Sequence, residues 1–101
     1  MKYSLQILNS AEIEISDAIN YYERKLIGLG QRFLESVERS LSLIAKTPEL
    51  YAIKKMPFRS CPLKGFPYLI FYAIEGEVIV VYSIFNTAQD PAKWPWNRES
   101  N

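Results

Sequence analysis

The sequence has no histidine, one cysteine and no long apolar run. Histidine is the commonest general base near neutral pH and a frequent zinc ligand, so its absence argues against a histidine-dependent catalyst and against a metal site. The single cysteine, Cys61, cannot form an intramolecular disulfide. No N-terminal segment is apolar for long enough to be a signal peptide or a membrane span. We therefore expect a cytoplasmic protein with no metal, no cofactor and no membrane contact.

The sequence also lacks a net charge that would indicate a nucleic-acid binder. Twelve basic and eleven acidic residues leave a formal net charge of +1. The charges are nevertheless unevenly distributed, because residues 50–74 contain four basic residues and no acid. These are Lys54, Lys55, Arg59 and Lys64. One side of the molecule is therefore predicted to be more positive than the other.

The length of the chain sets the number of domains. With 101 residues and 49% apolar composition, the chain fits one domain around a single core. We expect residues 1–101 to form this domain and residues 86–101 to be its C-terminal tail.

The N-terminal part of the sequence predicts a strand followed by a helix. Residues 2–8 alternate well enough for a short strand. A helix then begins at Asn9 or Ser10, because Asn9 and Glu12 have the spacing of a capping box. Apolar residues at helical spacing continue to about Lys25, which predicts one apolar face.

A second amphipathic helix is predicted after a glycine-containing break. Gly28 and Gly30 mark the break, and Pro48 ends the helix. A short turn between two helices favours an antiparallel hairpin. Several charged residues lie off the apolar stripe and predict a solvated face, among them Arg32, Glu35 and Arg39.

Three strands are predicted in the C-terminal half. Residues 56–62 contain two prolines, which favours a short or edge strand. Residues 67–74 and 77–85 are rich in β-branched and aromatic residues, with Glu75-Gly76 as a two-residue turn between them. Because both strands are apolar on both faces, we expect central strands. The helices would cover one face, and the tail or a partner chain would cover the other.

These elements together predict an α+β fold with the order β-α-α-β-β-β. An N-terminal strand and an antiparallel helix hairpin are followed by three antiparallel strands. The two helices would pack on a small, mainly antiparallel sheet.

Four segments in this order resemble the RelE/ParE toxin superfamily. They are "YYERKLIGLGQRFL" at residues 21–34, "KTPELY" at 46–51, "LKGFPYLIFYAIE" at 63–75 and "IFNTAQDPAKW" at 84–94. The resemblance covers nearly the whole chain. It implies a bacterial toxin of a type II toxin-antitoxin module, also known as a plasmid-stabilisation protein, which a cognate antitoxin neutralises. RelE-like members cleave mRNA in the ribosome, and ParE-like members inhibit DNA gyrase.

The RNA-cleaving members of the superfamily use basic residues and a tyrosine without a metal. In those members an arginine commonly follows the tyrosine of the third strand, whereas here Leu69 follows Tyr68. Another arginine commonly stands beyond the last strand, where this chain has "NTAQ", and many relatives have a histidine at the position of Asn86. These departures remove charge and a proton acceptor. They favour the ParE-like branch and binding over catalysis.

The leading hypothesis is therefore a toxin that binds a cellular target, with gyrase as the candidate. The first alternative is a ribosome-dependent mRNA endoribonuclease with Arg59, Lys64 and Tyr68 as its catalytic residues. The second is a degenerate toxin that binds only its antitoxin. The predicted target- or phosphate-binding residues are Lys54, Lys55, Arg59, Lys64, Asn86 and Gln89. Trp94 and Trp96 are predicted partner contacts, because two indoles after the last strand either cover the sheet or meet a partner.

Overall fold

A five-stranded sheet with two helices on one face dominates residues 3–98, the part of the chain that the computed structural model describes. In chain order the elements are β1 (Ser4–Ile7), α1 (Asn9–Lys25), α2 (Leu29–Lys46), β2 (Ala52–Lys55), β3 (Phe58–Pro62), β4 (Tyr68–Glu75), β5 (Val78–Asn86) and α3 (Pro95–Arg98). Two short 3₁₀ turns, Pro48–Leu50 and Pro91–Lys93, precede β2 and α3. The predicted domain and tail include residues 1–2 and 99–101, which lie outside the described residues.

The strands lie in the order β1-β5-β4-β3-β2. β1 is parallel to β5, and the other neighbours are antiparallel. The predicted α+β class and element order are confirmed. The structure adds β2, which the sequence did not indicate, so β3 is not the edge strand. Neither proline interrupts the hydrogen-bond ladder of β3, because Pro57 lies in the turn before the strand and Pro62 is its last residue.

The turn between β4 and β5 lies one residue later than predicted. Glu75 pairs with Val78, which leaves Gly76 and Glu77 as the turn residues. Gly76 has a φ of +65°, a backbone conformation that glycine adopts without steric cost.

Helix α1 begins at Asn9, as predicted, but it has no capping box. Leu8 is in the N-cap position, and no side chain caps the helix there. The backbone N–H of Glu12 donates to the carbonyl of Leu8 at 3.0 Å. Asn9 is already the first helical residue, so it is one position too late for its side chain to act as the cap.

The Glu23 carboxylate and a close backbone contact hold the two helices of the hairpin together. Both carboxylate oxygens of Glu23 accept backbone hydrogen bonds, from Gly28 and Gly30, each at 3.0 Å. The carboxylate thereby satisfies two N–H groups at the start of α2. Gly30 lies inside α2, contrary to its predicted place in the break. A Cβ atom there would come within 2.8 Å of the Ile19 carbonyl oxygen, so glycine permits the close approach of the helices.

The helix-facing side of the sheet is packed around four aromatic residues, which we call the inner aromatic cluster: Tyr22, Phe33, Phe66 and Tyr68. Phe33 is completely buried at its centre. Its ring centroid lies 5.0 Å from that of Tyr68, 5.1 Å from that of Phe66 and 5.4 Å from that of Tyr22. These contacts join both helices to the start of β4.

The opposite side of the sheet is covered by the C-terminal segment, as one of the two sequence alternatives predicted. We call the residues on this side the outer aromatic cluster: Phe58, Phe71, Tyr82, Phe85, Trp94 and Trp96. The ring centroid of Phe71 lies 5.4 Å from that of Trp94 and 5.5 Å from that of Trp96. Both indoles are half-buried. Two side chains thus provide much of the cover on this face.

Candidate functional site

Arg59 is held by backbone carbonyl groups. Its Nη1 atom donates to the carbonyl oxygen of Glu49 at 2.9 Å and to that of Tyr51 at 2.8 Å. The half-buried arginine therefore connects β3 to the chain between α2 and β2. Hydrogen bonds that involve a charged group contribute about 1.5–3 kcal/mol each, so this arrangement is stable.

A second contact stabilises the same turn. The Tyr72 hydroxyl donates to the carbonyl oxygen of Pro48 at 2.6 Å. Burial raises the pKa of Tyr72, and the neighbouring Arg59 guanidinium opposes this only in part. The phenol therefore stays protonated at neutral pH and can act as the donor.

Tyr68 lies in the core. Only 8% of its surface is exposed, and its ring is part of the inner aromatic cluster. Burial, followed by the proximity of the Tyr68 hydroxyl, raises the pKa of Tyr22 to about 12. The two tyrosines are thus close neighbours, and neither the burial of Tyr68 nor its packing favours contact with a large substrate.

The predicted catalytic residues lie in different places. Arg59 is opposite Tyr72 in the sheet, four residues along β4 from Tyr68. Four residues of strand span about 13 Å. Lys64 is exposed in the loop between β3 and β4, near Tyr68 but away from the turn that Arg59 contacts. The structure therefore does not join the three residues in one site: Arg59 contacts the turn before β2, Tyr68 packs in the core and Lys64 is exposed on a loop.

Lys54 and Lys55 lie on an edge of the sheet that also exposes apolar side chains. We call this the β2 edge surface: Leu50, Ile53, Lys54, Lys55 and Met56. Leu50 is 76% exposed, Met56 74% and Ile53 48%. β2 pairs with β3 on one side and is the last strand of the sheet. An edge strand with exposed apolar and basic side chains is suited to contact with another protein.

A basic groove lies between α2 and the loop from β3 to β4, with a volume of about 530 Å³. Its lining residues are Tyr22, Leu29, Arg32, Glu35, Ser36, Arg39, Lys64, Gly65, Phe66 and Pro67. Three of these are cations and one is an acid. The predicted solvated face of α2 therefore forms one wall of a groove, and Lys64 belongs to the other wall.

An acidic groove lies between α1 and the ends of β4 and β5, with a volume of about 400 Å³. Its lining residues are Glu14, Asp17, Ala18, Tyr21, Arg24, Tyr68, Ile84, Asn86 and Gln89. Asn86 accepts a hydrogen bond from the backbone of Ala88 at 2.8 Å. Glu14 accepts from Ser83 Oγ at 3.0 Å and from the backbone N–H of Ile84 at 2.9 Å. The surrounding acids make this groove a poor place for a phosphate.

Other forms of site chemistry have little support. Burial raises the pKa of the Cys61 thiol, which opposes its use as a nucleophile. Among residues 3–98 no cluster of three or more histidine, cysteine or acidic side chains could hold a metal ion. The helices within this range are too short or too polar to cross a membrane.

The comparison with protein families identifies the group to which this chain is related. A family described as "ParE toxin of type II toxin-antitoxin system, parDE" matches residues 5–91. The chain belongs to the ParE toxin family. The resemblance to the RelE/ParE superfamily, and to its ParE-like branch, is thereby confirmed.

Solved structures place the same fold in both branches of the superfamily. A structure described as the chromosomal ParDE toxin-antitoxin system from P. aeruginosa is 16% identical to this ParE-family chain, with a TM-score of 0.73. The match covers 84% of this chain and 96% of that one. A free-state double mutant of the E. coli toxin RelE is 21% identical, with a TM-score of 0.59, and the match covers 85% and 84% of the two chains. No curated protein sequence matches the chain.

Sequence reasoning missed part of the surface of this ParE-family protein. Arg32 and Arg39 are exposed, as predicted, but the sequence did not show that they line a groove, and it did not indicate β2 as a strand. The seven-residue spacing of the two arginines shows that they share a helix face, but it does not show what lies opposite. That information depends on the packing of the loop that contains Lys64 and Phe66.

Proposed function

We propose that this ParE-family toxin stops growth by binding DNA gyrase and that a cognate antitoxin neutralises it in the bacterial cytoplasm. The family match supports a toxin of a toxin-antitoxin module, and the resemblance to ParE-like members supports gyrase as the target. The proposal further assigns target binding to the β2 edge surface. The toxin acts as a binder and not as a ribonuclease.

The observation that carries this proposal is the position of the Arg59 guanidinium. The Nη1 atom of Arg59 donates to two carbonyl oxygens, at 2.9 and 2.8 Å, which leaves only Nη2 and Nε to hold a phosphate. Moving the guanidinium toward a substrate would break these bonds, which contribute about 1.5–3 kcal/mol each. Together with the buried Tyr68 and the absence of histidine, this favours binding over RNA cleavage.

The β2 edge surface supplies suitable chemistry for a protein target. Lys54 and Lys55 offer ammonium groups beside the exposed apolar side chains of Leu50, Ile53 and Met56. The exposed edge of β2 also presents backbone donors and acceptors. This combination suits an acidic protein surface with an apolar patch, because apolar contact and backbone pairing both contribute to affinity.

Expression of the chain alone in a bacterial host tests the proposal. Growth, plasmid supercoiling and the 5′ ends of mRNA are measured in the same cells. We expect growth arrest with altered supercoiling and intact messages. Purified gyrase should lose supercoiling activity when the purified toxin is added. New cleavage sites within translated messages would instead support the ribonuclease, and no arrest at all would support the degenerate toxin.

A pair of matched variants tests the assigned surface. The double variant Lys54→Ala, Lys55→Ala should lose growth arrest. The control Lys25→Ala, Lys46→Ala removes the same charge from the two helices and should retain arrest. Equal loss of toxicity in both variants would show that overall charge, and not the β2 edge surface, determines binding.

A further inference from the structure

We propose that the exposed face of α1 is the interface of a weak symmetric dimer, with a second copy of this chain as its occupant. The surface consists of the α1 stripe, which we define as Ile13, Asp17, Asn20, Tyr21 and Arg24, and of Leu26 and Ile27 in the turn to α2. It shares no residue with the β2 edge surface. The inference goes beyond the proposed function and depends neither on toxicity nor on gyrase.

Apolar side chains are unusually exposed on this surface. Ile27 is 90% exposed, Leu26 59%, Ile13 53% and Tyr21 48%. They are half of the large apolar side chains that are strongly exposed among residues 3–98. Apolar side chains that are grouped on one surface mark an interaction site, whereas single ones are normal. The surface is therefore suited to contact with another molecule.

The α1 stripe follows the spacing of one helix face. Ile13, Asp17, Asn20 and Arg24 are separated by four, three and four residues, and all four are exposed. Asp17 and Arg24 are seven residues apart, which corresponds to about 10 Å along the helix. One face of α1 thus carries an apolar side chain, an acid and a base in a fixed order.

The surface is already ordered in the single chain. The ring of Tyr21 packs edge-on against that of Tyr22, with 5.2 Å between the centroids. The backbone N–H of Leu29 donates to the carbonyl oxygen of Leu26 at 3.0 Å, and the Glu23 carboxylate accepts from two backbone N–H groups beyond the turn. A surface that is formed before its partner arrives loses less conformational entropy on binding.

The charges along the α1 stripe are self-complementary. When two copies of α1 pack antiparallel about a two-fold axis near residues 20–21, Asp17 of each copy lies opposite Arg24 of the other. Because a two-fold axis forms each contact twice, this arrangement contains two ion pairs. A parallel arrangement would instead place Asp17 beside Asp17 and Arg24 beside Arg24. Charge therefore selects the antiparallel dimer.

The apolar residues take complementary places in the same arrangement. Ile13 lies four residues before Asp17, and the turn to α2 begins two residues after Arg24. Ile13 of each copy therefore faces Leu26 and Ile27 of the other. Exposed ion pairs contribute little to affinity, so burial of these side chains supplies most of the free energy of association, and the ion pairs fix the orientation.

This mixture of charges distinguishes a second copy from other occupants. A nucleic acid or an anionic membrane favours cations throughout its contact surface, whereas Asp17 lies within the α1 stripe. A second copy supplies the matching order of acid, base and apolar side chain by symmetry. One helix and one turn from each copy form a small contact, so we expect a dissociation constant of about 10–100 μM.

Analytical ultracentrifugation of the purified full chain tests the dimer. The wild-type chain should change from monomer to dimer between about 1 and 500 μM. Asp17→Arg and Arg24→Asp each place like charges opposite one another and should raise the dissociation constant about tenfold or more. Glu38→Arg is the matched control, because it makes the same change of charge as Asp17→Arg at an exposed position of α2. Its dissociation constant should stay within about twofold of the wild-type value.

A mixture of the two single variants separates an interface from a general effect of charge or structure. In the heterodimer of Asp17→Arg with Arg24→Asp, both positions again face the opposite charge. The mixture should therefore associate within about threefold of the wild-type affinity, although each variant alone does not. The double variant Asp17→Arg, Arg24→Asp should recover in the same way. Circular dichroism shows whether each variant remains folded.

Three outcomes would overturn the proposal: a wild-type chain that is monomeric at every concentration, equal weakening in Glu38→Arg, or single variants that associate no better when mixed. A dimer that disappears only in Lys54→Ala, Lys55→Ala would also overturn it and would place the interface at the β2 edge surface. Growth arrest is not measured in this experiment, so a failure of the proposed function leaves its result unchanged.

Discussion

The two faces of the sheet are packed in different ways. The inner face is covered by two helices of 17 and 18 residues, and Phe33 is completely buried there. The outer face is covered largely by Trp94 and Trp96, which are both half-buried. Two long helices thus bury the inner face, whereas a short segment at the end of the described chain covers the outer face.

This difference explains where functional groups are accessible. Tyr68, a predicted catalytic residue, lies on the inner face and packs against Phe33. Arg59 is engaged by backbone carbonyls beside α2. The accessible basic groups lie instead at the β2 edge and along the solvent side of α2. Tyr68, which the sequence offered as a catalytic residue, is therefore a core-packing residue in the folded chain.

The largest effect is expected at the centre of the inner face. Phe33→Ala removes ring contacts to three aromatic residues and should lower the free energy of unfolding by about 3–5 kcal/mol. Urea denaturation followed by circular dichroism measures the loss. Phe33→Leu, which retains apolar volume, should lose much less. A loss below about 1 kcal/mol for Phe33→Ala would show that the inner face is not the stabilising core.

Removal of the arginine contact should have the next largest effect. Arg59→Ala leaves the carbonyls of Glu49 and Tyr51 without this donor, and we expect a loss of about 2–3 kcal/mol in the free energy of unfolding. The exposed Lys54→Ala should change stability by less than about 0.5 kcal/mol. Equal stability of the two variants, with toxicity lost only in Arg59→Ala, would contradict the structural role and show that the guanidinium acts on the target or on RNA.

The helix hairpin and the central strands could be predicted because their signals are local. Apolar residues at helical spacing define α1 and α2, and apolar residues on both faces define β4 and β5. The family resemblance supplied their order. β2 was missed because all four of its residues are exposed, so they show no alternation of buried and exposed positions.

The site was harder to predict because it depends on contacts between distant segments. The carbonyl partners of Arg59 lie ten and eight residues before it and come into reach only when β2 pairs with β3. The basic groove requires Lys64, a loop residue, to face two arginines of α2. A sequence shows that these residues are charged, but not whether they face a carbonyl group, a carboxylate or solvent.

The cover of the outer face should contribute less than the inner core. Trp96→Ala removes contacts to Phe58, Phe71 and Trp94, but the indole is only half-buried. We expect a loss of about 1–2 kcal/mol, roughly half of the value for a fully buried aromatic residue. Trp96→Phe should recover most of it. If stability is unchanged while binding to gyrase or to the antitoxin is lost, Trp96 is a partner contact, as the sequence predicted, and not a structural cover.

The smallest effect on stability is expected for Glu75→Gln, a variant that separates the pKa of the tyrosine on the outer face from that of the tyrosine on the inner face. Burial raises the pKa of Tyr22 on the inner face, to about 12, whereas a hydrogen bond to Glu75 is the main cause of the raised pKa of Tyr82 on the outer face. Glu75→Gln should therefore lower the pKa of Tyr82 toward its usual value and leave that of Tyr22 unchanged. At neutral pH its stability should change by less than about 0.5 kcal/mol, because the group is at the surface.

An alkaline titration monitored by tyrosinate absorbance, with Tyr22→Phe and Tyr82→Phe to assign the signals, checks this difference. The raised pKa of Tyr22 stabilises the folded chain fully below the unfolded value of about 10, and this contribution is lost as the pH rises through about 12. Tyr22→Phe should therefore make stability less dependent on pH in that window. If Glu75→Gln instead lowered the pKa values of both tyrosines, the two faces would be electrostatically coupled, and the separation between a built-in inner face and a lightly covered outer face would not hold.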